Sequence, residues 1–227
     1  MRVVLVTLAA MLALAPATSS AGAATNECRG ITACIPVAGP WVLVPAHGQA
    51  TYLLACPGGR SVVGGLDAQA SSRAVRVSFD GRIGAPVSPG VTTTRYALFR
   101  AFSTSGRAQT FQPRLGCIPT QGGGGRSTVS ARVTPVGPSL ELRSRIVIIG
   151  PGQVRFAKVA CLAGEQLVGA WHATAFRVKQ PPKIGAGTLV DVTRTVVGRK
   201  VVVTASATDG LSIDVHPVVQ VGAECAP

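Results

Sequence analysis

Aromatic side chains make up only 4% of this chain of 227 residues, two Trp, two Tyr and six Phe. Any core must therefore be assembled from Val, Leu, Ile and Ala. Carboxylates number nine and histidines three, which leaves little material for acid–base catalysis. No Gly-x-Ser-x-Gly nucleophile elbow occurs. After the first residues no apolar run reaches the about 20 residues that a membrane-spanning helix needs. Long stretches with apolar residues at three- and four-residue spacing are missing too, which excludes a helical bundle.

The chain opens with Met1-Arg2, an apolar run from Val3 to Ala15, Pro16, and a small polar stretch ending Ala21-Gly22-Ala23. A charged start, an apolar centre and a small-x-small site predict a secretory signal peptide over 1–23. The apolar run is too short to cross a bilayer. Thr25-Asn26-Glu27 ahead of Cys28 does not fit a lipobox. The mature protein is expected to be released outside the cell, or into a periplasm, with no stable membrane insertion.

The formal charge is +13, with 22 basic against nine acidic residues. Arg outnumbers Lys, and Ala, Gly, Val and Pro are abundant, as a GC-rich coding sequence produces without selection for binding. The basic residues are also spread along the chain. Solvated strand faces account for them. The alternative is attraction to an anionic polymer such as cell-wall material, lipid headgroups or nucleic acid.

An internal repeat organises the rest. Ala55-Cys56-Pro57-Gly58-Gly59, then Val63-Gly64, recurs as Ala160-Cys161-Leu162-Ala163-Gly164, then Val168-Gly169. Ile83-Gly84-Ala85 recurs as Ile184-Gly185-Ala186, and Arg95, Ala101, Thr104 and Gly106 as Arg199, Ala205, Thr208 and Gly210. Each copy closes on Cys-x-Pro, at Cys117-Ile118-Pro119 and Cys225-Ala226-Pro227. Upstream, Pro36-Val37 with Gly39-Pro40 matches Pro135-Val136-Gly137-Pro138. This order predicts an N-terminal segment over 24–35, a first β module over 36–119, a Gly-rich linker over 120–134 and a second β module over 135–227.

Six cysteines in an exported chain read as three disulfides. Each copy holds two at matching places, so the parsimonious pairs are Cys56–Cys117 and Cys161–Cys225. Cys28 and Cys34 then close a small N-terminal loop. Five residues between Cys28 and Cys34 is long for a zinc knuckle, and no metal site is read. Each module is small enough to be marginal alone, and a crosslink over such a loop contributes up to about 4 kcal/mol on the chain-entropy view.

Val-rich segments broken by 27 Gly and 16 Pro predict many short strands. In the first copy they fall at 41–44, 50–55, 61–68, 74–79, 92–102 and 109–116. In the second they fall at 140–149, 154–160, 166–176, 189–197, 199–207 and 211–221. Val75, Val77 and Phe79 alternate with Arg76 and Ser78. Asp80-Gly81 and Asp209-Gly210 are turn dipeptides. The expected fold is all-β, with two tandem disulfide-bonded β-sandwich modules of jelly-roll type.

The segment Ala55-Cys56-Pro57-Gly58-Gly59-Arg60-Ser61-Val62-Val63-Gly64-Gly65 resembles a module of exported proteins from high-GC Gram-positive bacteria. Its pattern is Cys-Pro-x-Gly, a short apolar strand, Gly-Gly, and a second Cys in the final strand. The second copy departs from it at Leu162 and Ala170. The resemblance implies a secreted β-sandwich and carries no reaction with it.

No catalytic residue, cofactor motif or metal ligand is assigned. His172 with Asp67 or Asp191 and a serine would make a triad only if the fold brought them together. Otherwise His172 is a partly buried strand residue beside Trp171. Asp214 and His216 share a strand face as two ligands would, or as a solvated pair. Between copies Asp67 aligns with His172 and Gln112 with His216, so the polar residues do not match. The leading expectation is a secreted binding or structural protein without enzymatic activity, recognising anionic cell-wall polymer, carbohydrate or another exported protein. The alternatives are an extracellular hydrolase with its site between the modules and a small-protein inhibitor presenting the Cys28–Cys34 loop.

Overall fold

A computed structural model describes residues 26–31, 33–58, 61–80, 94–119, 140–211 and 215–227. The expected signal segment 1–23, the expected linker 120–134, Gly81, Asp214 and the Ile83-Gly84-Ala85 match lie outside the described residues.

The chain is all-β. The first half carries β1 (Ile35–Ala38), β2 (Trp41–Val44), β3 (Gln49–Ala55), β4 (Ser61–Ala70), β5 (Val75–Asp80), β6 (Tyr96–Ser103) and β7 (Gln109–Pro119). The second carries β8 (Glu141–Ile148), β9 (Val154–Ala160), β10 (Gln166–Arg177), β11 (Val190–Val197), β12 (Lys200–Ala207) and β13 (His216–Ala226). The strand at β1 was not read from the sequence, and β13 starts at His216 rather than 211. A short 3₁₀ helix, Ile184–Leu189, precedes β11 where no element was read.

The halves do not stand apart. One seven-stranded antiparallel sheet runs β4, β7, then β1 and β2 along the same edge of β7, then β10, β13 and β8. The junction is β2 with β10, where Val42 faces Ala175 and Trp41 faces Phe176. Two three-stranded sheets complete the molecule, β3-β6-β5 and β9-β12-β11.

Alternation shows how the layers stack, because neighbouring residues of a strand point to opposite faces. Val42, Val44, Ala173, Ala175 and Val218 join the core beneath β3-β6-β5. Leu43, Phe176, Val219 and Val221 join the core beneath β9-β12-β11. The two small sheets therefore cover opposite faces of the large one. The antiparallel ladder requires this. Passing from β4-β7-β2 to β10-β13-β8 moves three strand positions, an odd number, so strand direction reverses between halves and the buried face reverses with it.

The two halves repeat one another in detail. Cys56 N–H donates to Arg95 O at 2.7 Å and Cys161 N–H to Arg199 O at 3.0 Å. β4 has a bulge between Val63 and Gly65 opposite Cys117 and Gly116. β10 has one between Leu167 and Gly169 opposite Cys225 and Glu224. The disulfides are Cys28–Cys34, Cys56–Cys117 and Cys161–Cys225, the three pairs drawn from the repeat. The Pro135-Val136-Gly137-Pro138 side of the upstream match lies outside the described residues. β1 pairs opposite Cys117–Arg114, and the segment pairing opposite Cys225–Gly222 is Glu141–Ser144.

The N-terminal loop has a seat built for it. A Cβ on Gly65 or Gly116 would lie 1.8 or 2.0 Å from the Glu27 carbonyl oxygen, so only glycine lets the loop lie flat there. Asn26 N–H donates to Asp67 at 2.8 Å, and buried Glu27 faces Arg114 at 3.6 Å.

Candidate binding clefts between the two halves

Gln220 of β13 is fully buried and polar. Its Oε1 accepts from Leu53 N–H at 2.7 Å and its Nε2 donates to Leu53 O at 2.9 Å. Leu53 belongs to β3, whose only strand partner among the described residues is β6. The amide thus fills one position on the free edge of β3 in place of a neighbouring strand. Trp171 Nε1–H leans on the same Oε1 at 3.4 Å.

A cleft lies on either side of this clamp. The first, of about 630 Å³, runs past Tyr52–Ala55, the Gly39-Pro40 corner, Ser144, Ile146 and Arg177–Lys179. The Tyr52 side chain is buried, and its hydroxyl has no hydrogen-bond partner among the described residues. Burial pushes this hydroxyl up to about 12, against the opposing pull of the nearby Arg177 guanidinium. Arg177 and Lys179 have no ion-pair partner among the described residues.

The second cleft, of about 620 Å³, is lined by Gln49–Thr51 on one side and by Trp171, His172, Arg194 and Glu224 on the other. Arg100 of the first half bridges to Glu224 of the second at 2.7 Å. Gly222 lies beneath Trp171, and a Cβ there would meet the indole at 2.0 Å. His172 is held below its ordinary value by burial first and by Arg194 second, and its Nδ1 is buried without a partner among the described residues. Burial and Arg194 both favour the neutral form of this imidazole. A third, apolar hollow of about 750 Å³ flanks the 3₁₀ helix and is bordered by Leu189, Leu211 and Val215.

The triad residues are not brought together. His172 is on β10 and Asp67 on β4, with β7 and β2 between them, roughly 14 Å by strand spacing. The Asp67 carboxylate is occupied by Asn26 N–H and by its own Ala68 N–H, each at 2.8 Å. Asp191 is exposed, and since Val190 and Val192 line the second cleft it points the other way. His216 is exposed at the start of β13. Cys161, Glu165 and Cys225 lie within ligand distance of one another, but the sulfurs are bonded together and only Glu165 remains as a donor.

The residue that sequence reasoning passed over is Gln220. Gln112 and Gln220 each stand five positions before the last cysteine of their half. Gln112 pairs with Gln69 as Gln220 pairs with Ala173, and both are buried. The alignment of Gln112 with His216 is therefore displaced. The two glutamines are the matching polar pair, and Gln112 Nε2 donates to Gly39 O at 2.9 Å.

The chain matches no protein-family model, no curated protein and no solved structure. Three disulfides fit an oxidising setting. Among the described residues no helix is long and apolar enough to cross a membrane.

Proposed function

We propose that this chain is an exported, non-enzymatic binding protein whose two related halves hold their ligand in the seam between them. Its signal segment directs it out of the cell, and its disulfides form there. The observation that carries this reading is the pair of clefts flanking Gln220, each walled by both halves. Clefts at such joints are where ligand sites preferentially occur.

The separation of Asp67 from His172 counts against the hydrolase reading. The seat beneath Glu27 counts against an inhibitor loop, since it makes the Cys28–Cys34 loop a part of the sheet's cover. Both Trp41 and Trp171 are buried, so neither offers an exposed ring to a sugar. A basic surface favours anionic envelope polymer over neutral carbohydrate.

The test is retention of the mature, oxidised protein on purified cell wall. Retention should fall steeply between low and high salt, with no soluble fragments released over time. Steady release of fragments that His172→Ala abolishes would replace this reading with the hydrolase. Absence of retention at low salt would remove the anionic-polymer partner.

A further inference from the structure

We propose that the cleft of Tyr52, Arg177 and Lys179 is a site for an organic anion, a carboxylate carried on an apolar body. The proposal rests on the seam being the recognition site and adds the chemistry of its occupant. Tyr52, Arg177 and Lys179, which have no partner among the described residues, can all donate. Tyr52 is 2% exposed and borders the cleft beside Arg177, and burial keeps its hydroxyl protonated. Arg177 presents a planar fork of N–H groups that fits a carboxylate. Lys179 adds a second positive charge, and among the described residues no carboxylate side chain lines the cleft.

Apart from Gln112, Ser144 and Gln220, the remaining side chains that line it are apolar. Pro40, Leu54, Ile146 and Val178 border the same space, and Ile146 is 41% exposed there. A few convergent polar groups among apolar walls are how a site orients a small molecule. A bare inorganic anion would use the donors and leave these walls wet. A neutral apolar molecule would leave Tyr52 and Arg177 without an acceptor. An anionic head with a hydrocarbon body satisfies both, and the volume of about 630 Å³ admits one. The second cleft is unlike it, because a carboxylate, Glu224, lines that space and pairs with Arg100.

The experiment is calorimetric titration of the full mature, oxidised chain with octanoate, its neutral analogue octanamide, and inorganic phosphate. Octanoate should bind at least tenfold more tightly than either of the others. Arg177→Gln should weaken octanoate binding at least tenfold and Tyr52→Phe severalfold. Arg155→Gln removes an exposed cation of β9 and should change nothing. Unaltered thermal unfolding of Arg177→Gln, a side chain at the exposed end of β10, would show that its effect is not misfolding.

No octanoate binding, equal binding of octanamide, or an equal effect of Arg155→Gln overturns the assignment. Cell-wall retention of the same preparations separates the two ideas. Salt-sensitive retention without octanoate binding would sink this site while the broader binding reading stands.

Discussion

Gln220 shows how one side chain can hold two layers together. A main-chain N–H and C=O shielded from water both need partners, and the edge of β3 presents a part-buried pair at Leu53. The amide of Gln220 is the side chain that can donate and accept side by side, as a strand would. Replacing it with Leu keeps the volume and removes both partners. Gln220→Leu should lower the unfolding free energy by about 2–4 kcal/mol, since each orphaned buried group costs about 1–3. Urea denaturation measures it, and a loss below about 0.5 kcal/mol would mean that Leu53 finds other partners. In the sequence this residue was hidden by register. The connection before β13 (208–215) is longer than the one before β7 (104–108), so alignment from the N-terminal side sets Gln112 against His216. Counting back from the cysteines sets it against Gln220.

At the scale of elements, the short strand β2 does the joining. It lies between β7 and β10 and sends Val42 and Val44 into one core and Leu43 into the other. Its partner Phe176 is fully buried in the second core. Phe176→Ala should cost about 3–5 kcal/mol, as other large cavities do. Because Phe176 sits at the junction, the loss should appear in both halves. Chemical shifts of β6 residues should move as well as those of β12, and changes confined to the second half would contradict a shared junction. Most strands were legible from Val-rich runs and turn residues, and the disulfides from the repeat. The β2–β10 pairing was not. A strand buried on both faces reads as a plain apolar run, and nothing in Trp41-Val42-Leu43-Val44 names its neighbour. The triad candidates were legible as residues only. Their distance is set by strand order, which sequence spacing does not encode.

At the scale of the whole molecule, an odd-numbered step along an antiparallel sheet makes the two halves face opposite ways while sharing one layer. The first half then uses Leu43 and Thr51 against the second, and both line the second cleft. The counterparts in the second half, Ile148 and Phe156, are 51% and 69% exposed. At the other end, Glu27 and the Cys28–Cys34 loop occupy the face of β4 and β7. The molecule is therefore an ordered pair with a capped first half, and the two clefts with charged walls lie where first and second meet.

Such an arrangement makes each half part of the other's core, since Ala173, Ala175 and Val218 of the second half pack with Phe99 and Phe111 of the first. The direct test is scanning calorimetry of the mature, oxidised chain. The account predicts one transition whose calorimetric and van't Hoff enthalpies agree, as a single cooperative unit gives. Two resolvable transitions, each assignable to one half, would contradict it.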